Sequence, residues 1–589
     1  MHSYIEEIII KNYRSFSSSC SIPLCELTAM VGYNNAGKSN VLNALEWLIS
    51  NGSLVEDDFF DKEQPVEVVA KITGVSEGVL SRLEGGHRKK IEKYVYEESI
   101  TIMRKQDEPG AKASTNKLWF YKSDERGWDF NPTGIDAAIK KLFPDTIRIN
   151  AMEDAASDAS KAKSTSTIGK LLKEVSESVV LRYQHEVDET LGAVRNSLSA
   201  EGDTRFDGLT AIDGKINESI GAFFPRVSVK LDIPVPDLEE LFGSGTLKIY
   251  EDGAEEGRPI QYYGHGSQRS VQMALVKLLA DIKGDRNQDC STKLLLIDEP
   301  ELYLHPFAID VLMEAFQKLS SDGYQIIYST HSSQLINKDN YGSTILVRKS
   351  KEEGSFIRKP LSVVVRDVVD KPEHCQDLIY SLSHASQIFF SEKVVVTEGK
   401  TEKKILPALY SAVNGSSMPV NHIGLTSLNG KDIYPKAHKI FKLMDLPVKF
   451  VADLDFAFKL ASNDEFIASD DPDYLSLLAH LKELEDNGEI LLDERGLPKS
   501  KKAPCPAEEA YRKLAEKDGA VPHVIGLHEK LLSYDIWVWP KGSIEDHVGN
   551  ESKSELGLLK YVRSLQQQGV AETCPDPEAV ARFVSWIDS

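Results

Sequence analysis

Gly32-Tyr-Asn-Asn-Ala-Gly37-Lys38-Ser39 fits the pattern G-x-x-x-x-G-K-[ST], and its reading decides the fold of this chain. It follows the apolar run Leu27 to Val31, expected to be a buried strand, and precedes Asn40 to Ile49, whose apolar residues recur at helical spacing. A strand, a glycine-bounded turn and a helix gather backbone N–H groups around phosphate oxygens at a helix N-terminus, where the macrodipole favours negative charge. Lys38 is expected to reach the β- and γ-phosphates of ATP and Ser39 to ligate Mg²⁺, with Gly32, Asn35 and Gly37 shaping the loop. The bland reading, a Gly-rich turn that happens to precede a helix, has to explain both flanks as coincidence.

A phosphate loop needs a second, acidic strand. Lys293-Leu-Leu-Leu-Ile-Asp298-Glu299-Pro300, about 260 residues further on, is an apolar run ending in two carboxylates. The nucleotide site is therefore split along the chain. Asp298 is expected to hold Mg²⁺ through water and Glu299 to orient or deprotonate the attacking water, because phosphoryl transfer depends mainly on positioning and charge stabilisation. Between the two lies Tyr263-Gly-His-Gly266-Ser267-Gln268-Arg269, a glycine-rich turn running into the apolar helix Val271 to Ala280. Glu301-Leu-Tyr-Leu-His305-Pro306 and the strand Gln325 to Tyr328 follow, the strand ending in Ser329-Thr-His331-Ser332. In this order the motifs resemble an ABC-type ATPase head of the RecF and structural-maintenance-of-chromosomes branch: Walker A, a degenerate signature, Walker B, a D-loop and a switch histidine. Alone, the Gly264 to Arg269 turn reads equally well as an ordinary loop. The resemblance implies that Gly266, Ser267, Gln268 and His331 serve the nucleotide, and that Arg14, in the opening Tyr4 to Phe16, touches ATP.

With 589 residues the chain is long enough for several domains. No run approaches the roughly 18 apolar residues of a membrane span. No basic segment followed by an apolar core opens the chain, so a soluble, cytoplasmic protein is expected. The 6 cysteines are scattered without a C-x-x-C pair, which argues against a zinc ribbon or a disulfide framework. A net charge of -22 argues at first sight against a nucleic-acid partner. Net charge is a global number, however, and an enzyme that holds its substrate through metal ions and local basic grooves can be acidic overall. The short basic clusters His87 to Lys90 and Lys499 to Lys502 read more naturally as solvated surface.

Pro65 to about Phe130 alternates in short runs, Val66 to Ile72, Tyr94 to Met103 and Lys117 to Lys122, and is expected to be an antiparallel β lobe. Glu153 to about Gly221 turns to helical spacing, with Ile168, Leu171, Leu172, Val175 and Val179 along one face. A helical insertion at 153–221 that holds copies together is expected here, with a solvent-facing hairpin as the plain alternative. The acidic segment Asp232 to Arg258 returns the chain to the signature, and Ser343 to Val347 is expected to close the ATPase sheet. A boundary near Gln387 leaves an ATPase domain at 1–387 and a second α/β domain at 388–589, the latter interrupted by an insertion at about 456–533.

In that second domain the strand Lys393 to Thr397 opens into Glu398-Gly-Lys-Thr-Glu402 and the helix Lys403 to Val413. Glu402 stands one helical turn after Glu398, so both carboxylates can face one side. The turn Leu428-Asn-Gly-Lys431 follows. The strand Val448 to Ala452 ends in Asp453-Leu-Asp455, whose alternate residues are expected to point the same way. Ile536-Trp-Val-Trp-Pro-Lys541-Gly-Ser-Ile-Glu545-Asp546 is a further apolar run ending in a lysine and acids. Carboxylates at the C-terminal ends of parallel strands occupy the usual site of an open α/β sheet. Clustered acids repel unless cations lie between them, so Mg²⁺ or Mn²⁺ is the expected ligand. Such ions can activate water and steady a leaving oxygen in phosphodiester cleavage, with Lys541 stabilising the extra charge.

This arrangement resembles a TOPRIM domain. An N-terminal ABC-type ATPase fused to a C-terminal TOPRIM is characteristic of the OLD (overcoming lysogenisation defect) family, which includes the nuclease subunit of the Gabija antiphage system and retron-associated effectors. The resemblance covers nearly the whole chain. It implies that Glu398, Glu402, Asp453, Asp455 and Glu545 are metal ligands, that Lys541 is the catalytic lysine, and that Glu398, Asp453 and Asp455 carry the cleavage chemistry. The long interval between Asp455 and Lys541 departs from a minimal TOPRIM unit. The expectation is an ATP-regulated, metal-dependent DNA endonuclease of antiphage defence, working as a dimer or tetramer. A helicase-like protein or a retron reverse transcriptase with its RNA and DNA is the implied partner. The competing reading is a RecF-like ATP-gated DNA-binding or scaffolding protein with a non-cleaving TOPRIM domain, against which the intact set of acids speaks.

Overall fold

The computed structural model describes residues 3–589 except 82, 84, 123–126, 132–134, 136–138, 140–141, 143–145, 152–166, 222–223, 225, 237–246, 251–255, 284–292, 338–339, 362, 365–384, 428–433, 462–465, 500–504 and 551–553. The chain divides into two compact units. One comprises Met1–Met30, Gly37–Leu335 and Ser350–Ser355, the other Val31–Ala36, Ile336–Lys349 and Phe356–Ser589.

The first unit runs β1 (Tyr4–Lys11), β2 (Cys20–Pro23), β3 (Leu27–Val31), α1 (Lys38–Ser50), β4 (Val66–Thr73), α2 (Gly85–Glu92), β5 (Ile100–Gln106), β6 (Leu118–Lys122), β7 (Gly127–Phe130) and β8 (Thr146–Ile149). It continues with α3 (Thr167–Leu198), α4 (Asp207–Gly221), the short pair β9 (Lys248–Ile249) and β10 (Arg258–Pro259), α5 (His265–Lys283), β11 (Lys293–Asp298), α6 (Pro306–Ser321) and β12 (Tyr324–Thr330).

Strands β2-β1-β4-β5-β6-β7 form an antiparallel sheet in that order. Val66, Val68, Ala70 and Ile72 of β4 are buried on one face, as period-two alternation requires. The N-terminal strand joins this lobe, with Ile8 opposite Ala70. The run expected to be a strand from Tyr94 becomes one only at Ile100. Tyr96 and Ser99 exchange backbone hydrogen bonds of 2.8 and 2.9 Å around Glu97 and Glu98, both left-handed at φ 47° and 55°, which is a tight turn. The basic cluster His87 to Lys90 lies on α2.

The second sheet of this unit carries parallel β8, β11 and β12, with β3 beside β12. Leu295, Ile297, Ile326 and Tyr328 pack against Val276 and Leu279 of α5 and Leu312 and Phe316 of α6. Burying each such side chain contributes roughly 1.5–3 kcal/mol. The first turns of α3 belong to this core, since Ile168 and Leu171 are buried in it with Leu172 and Val175 alongside. The helical segment is thus anchored in the ATPase core at its start; the stretch 152–166 lies outside the described residues. Helix α5 starts six residues before the expected Val271, because the Gly264 carbonyl accepts from the Ser267 and Gln268 amides and begins the helix at His265.

Strands β13 (Ile345–Ser350) and β14 (Gly354–Ile357) follow. A 3₁₀ turn at Tyr341–Ser343 delays the strand expected from Ser343. The second unit then builds β15 (Lys393–Thr397), α7 (Lys400–Asn414), β16 (Ile423–Ser427), α8 (Tyr434–Leu443), β17 (Val448–Ala452), α9 (Asp455–Lys459), α10 (Pro472–Asp486), α11 (Ala507–Glu516), α12 (Val521–Leu532), β18 (Ile536–Val538), α13 (Ile544–Val548), α14 (Glu555–Gln568) and α15 (Pro577–Asp588).

Its sheet is parallel, in the order β16-β15-β17-β18. Val395, Val451 and Trp537 pack on one face with Leu406, Leu409 and Phe583, while Val394, Val396, Phe450 and Val538 pack on the other. Burial on both faces explains the uninterrupted apolar runs of these strands. The insertion after Asp455 joins the same core through Leu477, Leu481, Tyr511, Leu514, Leu527 and Leu531, so it is a wall of the domain and not an appendage. The turn expected at Leu428 to Lys431 lies outside the described residues.

Candidate nucleotide and metal sites

The phosphate loop is built to leave room. A Cβ at Gly32 would fall 2.3 Å from the Val347 carbonyl oxygen. A Cβ at Gly37, whose φ is 112°, would fall 2.5 Å from Ser355 Oγ and 3.0 Å from Ser15 Oγ. Only glycine fits either place, and Gly37 is the left-handed N-cap of α1. Asn35 is exposed at φ 64°. Lys38 and Ser39 are the first two residues of α1, and a helix N-terminus suits a phosphate.

The acidic strand faces them within the first unit. Asp298 pairs with Ser329 in the β11–β12 register, and Ser329 Oγ donates to Asp298 Oδ1. Glu299, at φ 47°, leaves the strand with its amide donating 3.1 Å to the Ser329 carbonyl. Burial, then the nearby Asp298 and Glu301 charges, hold the Glu299 carboxyl above the usual range, against Lys38 and Arg269. Lys38 Nζ lies 2.9 Å from His331 Nε2. Burial and the Lys38 charge push the His331 imidazole below its ordinary value.

The signature residues are divided. Gly264, His265 and Ser267 are exposed and Gly266 half-buried, whereas Gln268 is buried and donates 2.7 Å to the Tyr263 carbonyl. Arg269, 4% exposed, donates 2.6 Å to the Asp298 carbonyl and 2.9 Å to that of Glu299. Gln268 thus points into its own unit, and Arg269 braces the acidic strand, a role the sequence did not announce. Arg14 is held by Asp58 at 2.8 Å and stacks over Tyr13 at 5.2 Å; Ser15, its neighbour, is the residue that approaches Gly37. Arg148 on β8 is a further cation that sequence reasoning missed. It is 6% exposed, 3.6 Å from Asp298 Oδ2, and donates 3.1 Å to Asn43 Oδ1 of α1. Arginine in a strand gives no pattern that marks it.

In the second unit, Glu398, Asp453 and Asp455 each offer a carboxylate oxygen within 4.8 Å of the others, all three half-buried. The strand ends are level, Thr397 opposite Val451 and Ser427, Ala452 opposite Val538, so the residues just past them share one mouth. Asp453 and Asp455 meet by a route other than strand alternation. The strand stops at Ala452 and Asp455 opens α9, with the Leu454 amide donating 2.8 Å to the Gly542 carbonyl. A turn, not a pleat, brings the two acids together.

Glu402 is 7% exposed and its carboxyl is raised to about 7, by burial first and then by the charges of Glu398 and Glu545, against amides of its own helix start. It reaches back over Gly399, where a Cβ would fall 3.1 Å from Glu402 Oε2, so it caps α7 beside the three acids without joining their group. Glu545, half-buried in the first turn of α13, lies in the field of Glu402 and likewise outside the group of three. The Lys541 ammonium sits 2.8 Å from Asp576 and its side chain is 52% exposed. Its amide donates 3.1 Å to His547 Nε2, so the proton of that buried imidazole is on Nδ1, which donates 3.0 Å to Asp576. Beneath the mouth, Tyr434 is buried, its hydroxyl donating to the Val451 carbonyl.

Three carboxylates in an oxygen-only set fit a hard divalent cation. The glycine cradle and the helix start fit a nucleotide phosphate. Among the described residues no helix is long and apolar enough to cross a membrane.

Comparison with known proteins gives the same two parts. The family described as "AAA domain, putative AbiEii toxin, Type IV TA system" matches residues 27–337, and "Overcoming lysogenization defect protein-like, TOPRIM domain" matches 389–455. The Old nuclease of Escherichia phage P2 is 33% identical over 591 residues, covering 99% of this chain and 99% of that protein. Endonuclease GajA of Bacillus cereus (strain HuB5-5) is 26% identical over 183 residues, 28% of this chain and 26% of its own length. A solved Smc head bound to the C-winged helix domain of ScpA covers 60% of this chain and 97% of its own at 16% identity, with a TM-score of 0.35, too low to add to the fold described above. An identity of one third that runs through both the ATPase and the TOPRIM segments makes this chain a member of the OLD (overcoming lysogenization defect) family, an ATPase linked to a nuclease.

Proposed function

We propose that the chain is an ATP-regulated DNA endonuclease that uses Mg²⁺ or Mn²⁺ and serves in defence against phage. The observation that carries this reading is the meeting of Glu398, Asp453 and Asp455 at one mouth of a parallel sheet. A bound divalent cation supplies Lewis-acid polarisation of the scissile phosphate and a more acidic water. Glu398, Asp453 and Asp455 would hold it, with Glu402 and Glu545 beside them, and Lys541 would offer positive charge to the phosphate. In the ATPase, Lys38 and Ser39 take the phosphates and Mg²⁺, Asp298 fixes the acidic side, and Glu299, whose carboxyl is raised, accepts the proton of the attacking water. The functional boundary falls near Gln387, between the two family matches. One chain carries one phosphate loop and one signature turn, so two copies are the least that completes an ABC-type site, and a closed homo-oligomer follows.

The test is incubation of the purified chain with supercoiled and linear DNA, with Mg²⁺ or Mn²⁺, with and without ATP. Cutting that requires the metal and responds to ATP is the expected result. Binding of DNA without cutting under every condition would favour the scaffolding reading. Light scattering with and without ATP in Glu299→Gln checks the assembly, and a monomer in both states contradicts it.

A further inference from the structure

One buried cation touches both the phosphate loop and the approach to the nuclease sheet. Arg348, on β13, is 8% exposed. Its Nη2 donates 2.8 Å to the Ser391 carbonyl and 3.2 Å to that of Phe389, and its Nη1 donates 3.3 Å to the Val347 carbonyl. The guanidinium carbon lies 5.7 Å from the centre of the Tyr33 ring, in the loop between Gly32 and Gly37. Tyr33 is seated there by its hydroxyl, which donates 2.6 Å to the Lys349 carbonyl and accepts from the Lys349 amide at 3.0 Å. All of these residues belong to the second compact unit.

The far end of this link is firm. Immediately after Ser391, the Glu392 amide donates 3.0 Å to the His422 carbonyl and the Val394 amide 2.9 Å to that of Pro447, so the chain is already fixed in the sheet. Strand β15 is 5 residues long, and Glu398 is the next residue after it. Val31, Leu346 and Phe389 share one buried core with Val394 and Val396 of β15, and Tyr341 packs edge-on against Phe389 at 4.8 Å. A core packed in this way passes a displacement on and does not absorb it. The hydrogen bonds of Arg348 go to carbonyls and its ring contact to Tyr33, with no carboxylate among these partners. Burying a cation on such terms opposes stability, and an apolar side chain would fill the place with less penalty. What only arginine adds is a planar fork with a face for the ring and donors for two carbonyls.

We propose that Arg348 is a positioning residue that couples the phosphate loop to the acids at the sheet mouth. Closing of the loop on a triphosphate moves Tyr33, and Arg348 passes that movement to the start of β15 and so to Glu398 at its end. This rests on the reading of the chain as an ATP-regulated nuclease and names the route of the regulation. The route is a run of packed side chains and hydrogen bonds, and coupling through it is reciprocal.

Hydrogen exchange reads the link without cleavage. The full chain is exchanged with and without a non-hydrolysable ATP analogue and Mg²⁺, and peptides spanning residues 385–399 are followed. In wild type the analogue should change exchange there by about fivefold or more, the lower scale of coupling between sites. Arg348→Gln should still bind the analogue but leave those peptides unchanged. Arg348→Lys keeps the charge without the fork and should restore part of the change. Tyr33→Leu breaks the link at the loop, and at saturating analogue it should lose the response as well; it stands in if Arg348→Gln does not fold. Supercoiled DNA is cut in parallel, and the ratio of rates with and without ATP should fall in Arg348→Gln to within about twofold of one, against about fivefold or more in wild type. An exchange response as large in Arg348→Gln as in wild type, or absent from wild type that binds the analogue, overturns the proposal. Wild type that shows the exchange response and cuts no DNA would sink the nuclease reading and not the link.

Discussion

Lys38 Nζ donates to His331 Nε2 across 2.9 Å, and that same nitrogen is 3.5 Å from Glu299 Oε1. The ammonium can donate only to an unprotonated nitrogen, so His331 is neutral here, in agreement with the downward push on its pKa from burial and Lys38. The contact to Glu299 is then not an ion pair. Lys38, His331 and Glu299 come from the three places a γ-phosphate must touch, and the imidazole takes the hydrogen bond of the lysine with the Glu299 carboxylate alongside.

His331→Ala should therefore affect turnover more than binding. Loss of one group that orients the transferred phosphate is expected to lower kcat by about 100-fold while changing ATP affinity by less than about threefold. Equilibrium binding of a fluorescent ATP analogue beside steady-state hydrolysis makes the check. Equal losses in both would mean that His331 serves ground-state binding.

Arg269 predicts a stability effect at the same site. Its guanidinium, almost fully buried, donates to the carbonyls of Asp298, Glu299 and Asn150. Arg269→Ala takes that donor from all three carbonyls and should cost about 3 kcal/mol in urea unfolding. Arg269→Lys keeps the charge without the fork and should recover only part of the stability and of ATP hydrolysis. Full recovery by lysine would show that charge alone is needed.

The buried His547 gives a pH dependence with a definite sign. Its pKa is lowered to about 4 from 6.5 by burial, against the pull of Asp576. Between those values the unfolded chain binds a proton that the folded chain refuses, so this group makes the protein less stable as pH falls from about 6.5 to about 4, by roughly 3 kcal/mol in all. Asp576 acts in a different window. Burial raises it, but Lys541, the Ala579 amide and His547 outweigh burial and hold it below 3.8, so its contribution is lost only in stronger acid. Thermal midpoints of the full chain from pH 7.5 to 5 should fall more steeply for wild type than for His547→Asn. Parallel curves would contradict the assignment.

Much of the fold and of both sites is legible in the amino-acid sequence, and the reasons are local. The phosphate loop, the apolar strands ending at Asp298, Glu398 and Asp453, and the alternation of β4 are each set by neighbours along the chain. What escapes a sequence reading depends on chain direction after a strand ends. Asp453-Leu-Asp455 reads as strand alternation, but the chain turns into a helix at Asp455, which moves Lys459 onto that acid and makes i,i+4 the spacing that matters. Arg148 and Arg269 are buried polar groups fixed by partners far along the chain, and nothing in their sequence neighbourhood distinguishes them from surface residues.

The central claim is that the three acids at the sheet mouth are a metal-dependent cleavage site. The most direct measurement is nicking of supercoiled DNA by wild type, Glu398→Ala and Asp453→Ala in Mg²⁺ and in EDTA, with thermal unfolding of each variant recorded alongside. We expect cutting by wild type in Mg²⁺ alone, a loss of at least about 1,000-fold in either variant, and unfolding midpoints close to wild type. Cutting in EDTA, or by a folded Asp453→Ala chain at the wild-type rate, would contradict the account.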